Sequence, residues 1–387
     1  MTTAGPLDGI TVIDLTRALA GPHAGMMLGD MGARVIKVES PGTGDDTRGW
    51  GPPFVGPDGD IATYFLSCNR NKESITLDLK SADGKETLRR MIAKGDVLLE
   101  NFRTGVLDRL GFSMDRIRQL NPRMVILSIT GFGHDGPQAG RAGYDQIAQG
   151  EAGLMSMTGP NPQTPTKVGV PIADVLSGMY GAYGVVAALY ERERTGKGKV
   201  VRTSLLASVV GVHAFQGTRW TVGQDLPRAE GPFHPSVSPY GLFSSKDGML
   251  QIAVGSESLW EKFAPAFGFD PEDPTYATNG DRVRNNKMLV PAINHAFAKY
   301  TNEELLATLD RLGIPCGEVK DLQQVYDWDQ VRSQGLVVEV EHPVLGPIEL
   351  PGPPVRIFDG DREWRREHRT PPQLGEHNES VRAWLAE

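Results

Sequence analysis

Asp174 stands at the front edge of GVPIADVLSGMYGAYGVVAALYERERTGKGK (169–199), and no charge follows it until Glu191. A carboxylate fixed at the mouth of a buried helix can act as a nucleophile or a base. The same placement also suits a plain N-cap or first-turn acid, which satisfies backbone N–H groups and does no chemistry. A second set of residues is spread over the first half of the chain: Arg17, Lys80, Asn101, Arg103 and Arg109. Taken singly each reads as a solvated polar group. Gathered on one edge they would hold the phosphates of a nucleotide-like ligand through charge-assisted hydrogen bonds.

The elements that must position these groups can be read from periodicity. Gly9–Leu15 is a β-branched run, residues 23–31 fit a short helix, and Arg34–Glu39 is a second strand. Strand, helix and strand in some thirty residues make a βαβ unit with parallel pairing. Ser74–Leu79, Asp96–Glu100 and Met124–Ile129 continue the series, each followed by polar residues. Open parallel sheets bind ligands at that C-terminal edge. Gly21, Gly25, Gly29 and Gly32 do not form G-x-G-x-x-G after the first strand, which argues against dinucleotide binding there. The apolar run from Val175 to Tyr190 predicts a helix buried on all sides. Its glycines predict a close approach to its backbone, and Thr195–Gly198 ends it.

The sequence therefore predicts an α/β fold: an open, mostly parallel Rossmann-like sheet in a large domain (1–220 plus 330–387), with a smaller α+β domain (225–325) and linkers at 221–239 and 326–335. The loop 40–63 is rich in Gly, Pro and Asp and predicts a cover or a partner contact. The 387 residues, 23% of them charged, have ordinary globular usage, and the net charge of −8 disfavours nucleic acid and anionic membrane surfaces as partners. Cys68 and Cys316 form neither a disulfide framework nor a metal pattern. They fit a reducing cytoplasm, and MTTAGPLDGI lacks the features of a signal peptide.

The chain resembles the family III CoA-transferases, which include formyl-CoA:oxalate transferase and α-methylacyl-CoA racemase. The stretches that carry the resemblance are PLDGITVIDLTRALAGP (6–22), GARVIKVESPGTGDDTRGWGP (32–52), NRNKESITLDLK (69–80), DVLLENFRTG (96–105), GYDQIAQG (143–150), the segment at 169–199 and LGEH (374–377). The resemblance covers essentially the whole chain. It implies that Asp174 is the nucleophile, attacking an acyl-CoA thioester to form a mixed anhydride that CoA thiolate converts to an aspartyl-CoA thioester. It implies CoA contacts at Leu19, Ala20, Lys80, Asn101, Phe102 and Arg109. Ser40 and Ala142 stand where the formyl-CoA enzyme has Arg and Lys, and Arg141 is the candidate substitute. Tyr144 matches a family Tyr, and Asp145 replaces a Glu near the active site. No cofactor beyond CoA or acyl-CoA, and no metal, is implied; the partners are a carboxylic acid and a second copy of the chain in an interlocked homodimer. HPSVSPYGLF (234–243) and EHPVLGPIELPGPPVR (341–356) look most like members that use short dicarboxylates such as succinate.

Two rival readings follow from the same residues. A racemase needs two acid/base groups, and Tyr144 stands where racemases carry a His; a phenol of pKa about 10 is a poor base at neutral pH. His134 lies on a nearby glycine loop, where loop ordering is its simpler role. A CoA- or nucleotide-binding protein without turnover would have no use for the acid at 174. If transfer is the activity, N–H groups at the helix start are candidate oxyanion donors, and the helix glycines would admit the pantetheine arm.

Overall fold

The computed structural model describes residues 5–364 and 366–387. The chain divides into two compact units, one comprising residues up to 154, 168–221 and 329–387, the other 155–167 and 222–328. The stretch 326–335 carries a short helix, Asp329–Ser333.

The first unit is built on six parallel strands, β1 (Thr11–Asp14), β2 (Arg34–Glu39), β3 (Lys72–Thr76), β4 (Val97–Glu100), β5 (Val125–Thr130) and β6 (Val200–Ser204). Their order is β3-β2-β1-β4-β5-β6. The mostly parallel sheet expected from the βαβ pattern is thus present, and its order is that of dinucleotide-binding folds, with the strand order reversing between β1 and β4. Alternation along each strand sorts side chains onto two faces. Val12, Val35, Val97, Leu99 and Leu127 join one core with α1 (Ala20–Asp30) and the long helix Ile172–Thr195. Ile13, Ile36, Leu98 and Ile126 join the other with α2 (Ala82–Lys94). The C-terminal helix Asn378–Ala386 adds Val381 and Leu385 to that second core, and Asn378 Oδ1 accepts from the Thr76 amide at 2.8 Å.

Asp145–Glu151 forms α3, and Ile172–Thr195 is named α4. By length and composition α4 could cross a membrane, yet its glycine face packs on the sheet. A methyl group at Gly181 would lie 2.7 Å from Leu127 Cδ2, at Gly184 2.5 Å from Val201 Cγ1, and at Gly178 2.7 Å from the Ala20 carbonyl oxygen. The close approach foreseen from these glycines is therefore made by the protein's own sheet and by α1. Space beside them for a pantetheine arm is already filled. The expectation of burial on all sides also fails, because Tyr183 is 75% exposed, Tyr190 69%, and Met179, Tyr180 and Val186 are exposed with them.

The second unit has an antiparallel sheet of β7 (Tyr240–Ser244), β8 (Met249–Ala253) and β9 (Cys316–Glu318), ordered β9-β8-β7. Helices Glu257–Ala266, Asn286–Phe297 and Asn302–Leu312 cover a core of Phe243, Trp260, Phe263 and Phe297.

Candidate active site

Two of the polar residues predicted to line one sheet edge, Arg17 and Asn101, meet where the strand order reverses. Arg17 follows β1 and Asn101 follows β4; the Arg17 amide donates to Asn101 Oδ1 at 2.9 Å, and Asn101 Nδ2 donates to the Arg17 carbonyl at 2.7 Å. Arg17 Nη2 also donates to Ser40 Oγ at 2.9 Å, just past the end of β2. Three strand ends are thereby laced together at the crevice where open α/β sheets take ligands. Leu19 is buried with Met26, Cys68, Tyr64 and Val175, which joins the 17–20 loop to the first turn of α4. Ala20 is buried, its carbonyl against Gly178.

The remaining predicted phosphate-binding residues lie apart from this knot. Lys80, Arg103 and Arg109 are exposed. The Arg109 guanidinium curls back over Gly105, 3.3 Å from where a methyl group there would sit. Arg141 pairs with Glu151 at 2.5 Å and lies 4.5 Å from the centre of the Phe132 ring. As an anion ligand it would have to share itself with Glu151. Phe102 is half-buried, and its amide donates to Glu100 Oε2 at 2.9 Å. Glu100 also accepts from Ser128 Oγ, which sits 2.7 Å from His134 Nε2. His134 is thus tied to the strand ends, in keeping with loop ordering.

Behind the crevice lies a set of buried charges. Lys72 Nζ reaches Asp14 Oδ2 at 2.9 Å, the Pro22 carbonyl at 2.8 Å and Asn69 Oδ1 at 2.9 Å. Lys37 Nζ pairs with Asp45 at 2.7 Å and donates to the Thr16 carbonyl at 2.9 Å. Asp45 Oδ1 in turn accepts the Ala18 amide at 3.2 Å, and Ala18 has φ of 63°, a left-handed conformation that a non-glycine residue adopts only when held. Burial works against the charge on Asp14, yet Lys72 and Lys37 keep its carboxyl below the ordinary range. These pairs fasten the 16–20 loop from within, and Asp45 gives the Gly- and Asp-rich stretch after residue 40 a definite task.

Asp174 lies in the first turn of α4, whose N-cap is Pro171. It is not a cap: Asp145, the first residue of α3, supplies that function from outside. Asp145 Oδ1 accepts from the amides of Ala173 at 2.8 Å and Asp174 at 3.4 Å. The Ile172 amide donates to the Val170 carbonyl and the Val175 amide to that of Pro171. The helix-start N–H groups are therefore engaged within the protein, so the expectation that they serve as oxyanion donors is corrected. Burial first, and then the neighbouring Asp145 charge, push the Asp174 carboxyl up to about 7. Tyr144, which precedes α3, is 65% exposed and makes no side-chain cap.

Two neighbours escaped the sequence reading. Tyr64 packs with Leu19 and Val175; burial and then Asp174 push its phenol up to about 12, so it stays a neutral donor. It lies in a loop-rich stretch with no periodic signal. Gln149 is fully buried and donates to Asp145 Oδ2 at 2.7 Å. Its spacing of four from Asp145 was a legible signal, since helical residues four apart face one another. Among the described residues no cluster of three or more His, Cys, Asp or Glu is placed to hold a metal.

A parallel sheet with a laced switch point and, in the first turn of α4, a half-buried carboxylate of raised pKa define an α/β protein with a candidate active site, and comparison with known proteins supplies the family. Residues 7–378 match CoA-transferase family III, and the chain belongs to that family. It is 40% identical over 378 residues to succinyl-CoA:glutarate CoA-transferase of Mus musculus, covering 97% of this chain and 85% of that one. It is 39% identical over 385 residues to succinate–glutarate CoA-transferase of Agrobacterium fabrum, covering 98% and 96%. The crystal structure of a CAIB/BAIF family protein from Brucella suis superposes with a TM-score of 0.87 at 38% identity, covering 99% of this chain and all of that one.

Proposed function

We propose that this CoA-transferase moves CoA from an acyl-CoA to a free dicarboxylate through covalent intermediates on Asp174. The observation that carries the role of Asp174 is its carboxyl, half-buried in the first turn of α4 next to Asp145 and raised to about 7. Such a carboxylate is half ionised near neutral pH and largely ionised above it, poorly solvated, and carried on a backbone held at its amide, which suits a nucleophile. It attacks the thioester carbonyl, forming a mixed anhydride as CoA thiolate leaves. The thiolate then attacks the Asp174 carbonyl, releasing the donor acid and leaving an aspartyl-CoA thioester. The acceptor carboxylate attacks that thioester and again frees the thiolate, which takes the new acyl group and restores Asp174. Each bond broken is matched by one of similar energy, so the exchange needs no separate energy source.

The 17–20 loop with Asn101 and Phe102 is assigned to CoA, with Lys80, Arg103, Arg109 and Arg141 as phosphate partners that swing in from solvent. The names of the relatives from Mus musculus and Agrobacterium fabrum favour succinyl-CoA as donor and glutarate as acceptor. The exposed apolar face of α4, from Met179 to Tyr190, supports a homodimer, and the family resemblance supports an interlocked one. The reading also takes the protein as cytoplasmic, which its two cysteines fit, and its net charge of −8 disfavours nucleic acid and anionic membrane surfaces as partners.

The test is a transfer assay from succinyl-CoA to glutarate, with oxalate for comparison, together with borohydride trapping and peptide mapping. Transfer with label at Asp174 is expected. Label elsewhere, or none during turnover, rules out Asp174 as nucleophile, and deuterium uptake at an acyl α-carbon without transfer favours racemase chemistry.

A further inference from the structure

Gln149 is a buried polar side chain that the transfer chemistry does not use. It has no exposed surface, lies on α3 and uses both ends of its amide. Nε2 donates to Asp145 Oδ2 at 2.7 Å, and Oε1 accepts the Val168 amide at 2.9 Å. Asp145 is fixed at its other oxygen by the amides of Ala173 and Asp174. A continuous chain of hydrogen bonds therefore runs from Val168, ahead of α4, through Gln149 and Asp145 to the backbone of residue 174. It clasps the segment entering α4 at both ends.

We infer that Gln149 is a positioning residue for the nucleophile: it holds the Asp145 carboxylate in the orientation that both caps α4 and turns a charge toward Asp174. This rests on the reading of Asp174 as nucleophile. A carboxylate alone at residue 145 can rotate and leave the α4 amides; a donor on Oδ2 blocks that rotation, because leaving would break a buried charge-assisted hydrogen bond. Gln is well suited to the position. Its amide donates to the acid and accepts from the Val168 backbone, whereas a second acid would repel Asp145 and a Lys could not accept.

The other titratable groups near the start of α4, on α1, on α3 and at residue 64, leave the neutral range to Asp174. Tyr64 is held neutral by its shift to about 12. His23, on α1 beside Gly178, is pushed down to about 4 by burial and then by Arg70 and Lys72. Glu151, at the far end of α3, is paired with Arg141. The acid limb of kcat against pH therefore reports Asp174 as it is set by Asp145.

The experiment is a double-mutant cycle in the full-length protein with Gln149→Met, Asp145→Asn and both together. Gln149→Met keeps the length of the side chain and removes both hydrogen bonds. It is expected to lower kcat on the order of 10- to 100-fold through misplacement of the nucleophile, with KM for succinyl-CoA nearly unchanged. The acid limb should move to lower pH, because the charge that raises Asp174 is no longer aimed at it. In the Asp145→Asn background, adding Gln149→Met should move the limb no further. An unmoved limb, or losses that multiply in the double variant, would overturn the inference and leave Gln149 as a loop support only. Should Gln149→Met fail to fold, Gln149→Asn keeps the amide but shortens its reach, and the same displacement of the limb is required of it. Borohydride labelling of the wild type reads out the nucleophile independently: no label at Asp174 fails that reading, whereas label with an unmoved limb fails Gln149 alone.

Discussion

The raised carboxyl of Asp174 has a thermodynamic counterpart. Well below about pH 4 the group is neutral in the folded and the unfolded chain alike, and costs nothing on this account. As pH rises, the unfolded chain releases the proton first while the folded protein keeps it up to about 7, so folding stability falls across that window. Above it the full penalty, on the order of 4 kcal/mol, is in place. Asp174→Asn removes the ionisation. It is expected to melt at higher temperature than the wild type at pH 8, to show little difference at pH 4, and to lose transfer activity. Melting curves at both pH values check this, and a variant equally stable with the wild type at pH 8 would show that the aspartate is well accommodated as an anion.

At the scale of elements, the decisive contact is between α1 and α4. Their approach is close enough that the Ala20 carbonyl occupies the place of a side chain at Gly178, with His23 beside it. Gly178→Ala must therefore push on backbone, which cannot rotate away as the tip of Leu127 can at Gly181. The expected cost is about 1–3 kcal/mol. Since α1 opens directly after the 17–20 loop, KM for the CoA substrate should rise more than kcat falls. Thermal melts and initial-rate kinetics check the two parts, and an unchanged KM would show that the loop is held by Lys37, Asp45 and Asn101 without help from α1.

For the whole molecule, the exposed face of α4 is the feature a single chain leaves unexplained. Met179, Tyr180, Tyr183, Val186 and Tyr190 present a row of large apolar groups on a helix whose opposite face forms part of the core. Contiguous apolar surface of this kind marks an interaction site, and the proposed occupant is a second copy. Sedimentation is expected to give about twice the chain mass of 42.1 kDa. Tyr183→Glu should shift the species toward monomer or leave it aggregated. A wild type that is monomeric at micromolar concentration would remove the homodimer from the proposal.

Much of this was legible in the residues themselves. The βαβ rhythm, the parallel sheet, the absence of a G-x-G-x-x-G turn and the singular position of Asp174 follow from periodicity and from where a charge interrupts an apolar run. These are local properties, set by strand and helix repeats of two and 3.6 residues. Other features depend on residues far apart in the chain. Nothing local tells that Asp145 rather than Asp174 caps α4, that the α4 glycines receive Leu127 and Val201 rather than a ligand, or that Lys37 and Asp45 lock a left-handed Ala18. Burial and hydrogen-bond partners are settled only when distant segments pack. The sequence by itself therefore determined which groups were available for chemistry. The tertiary structure decided which of them face one another, because pKa, cap and clearance arise from neighbours across space.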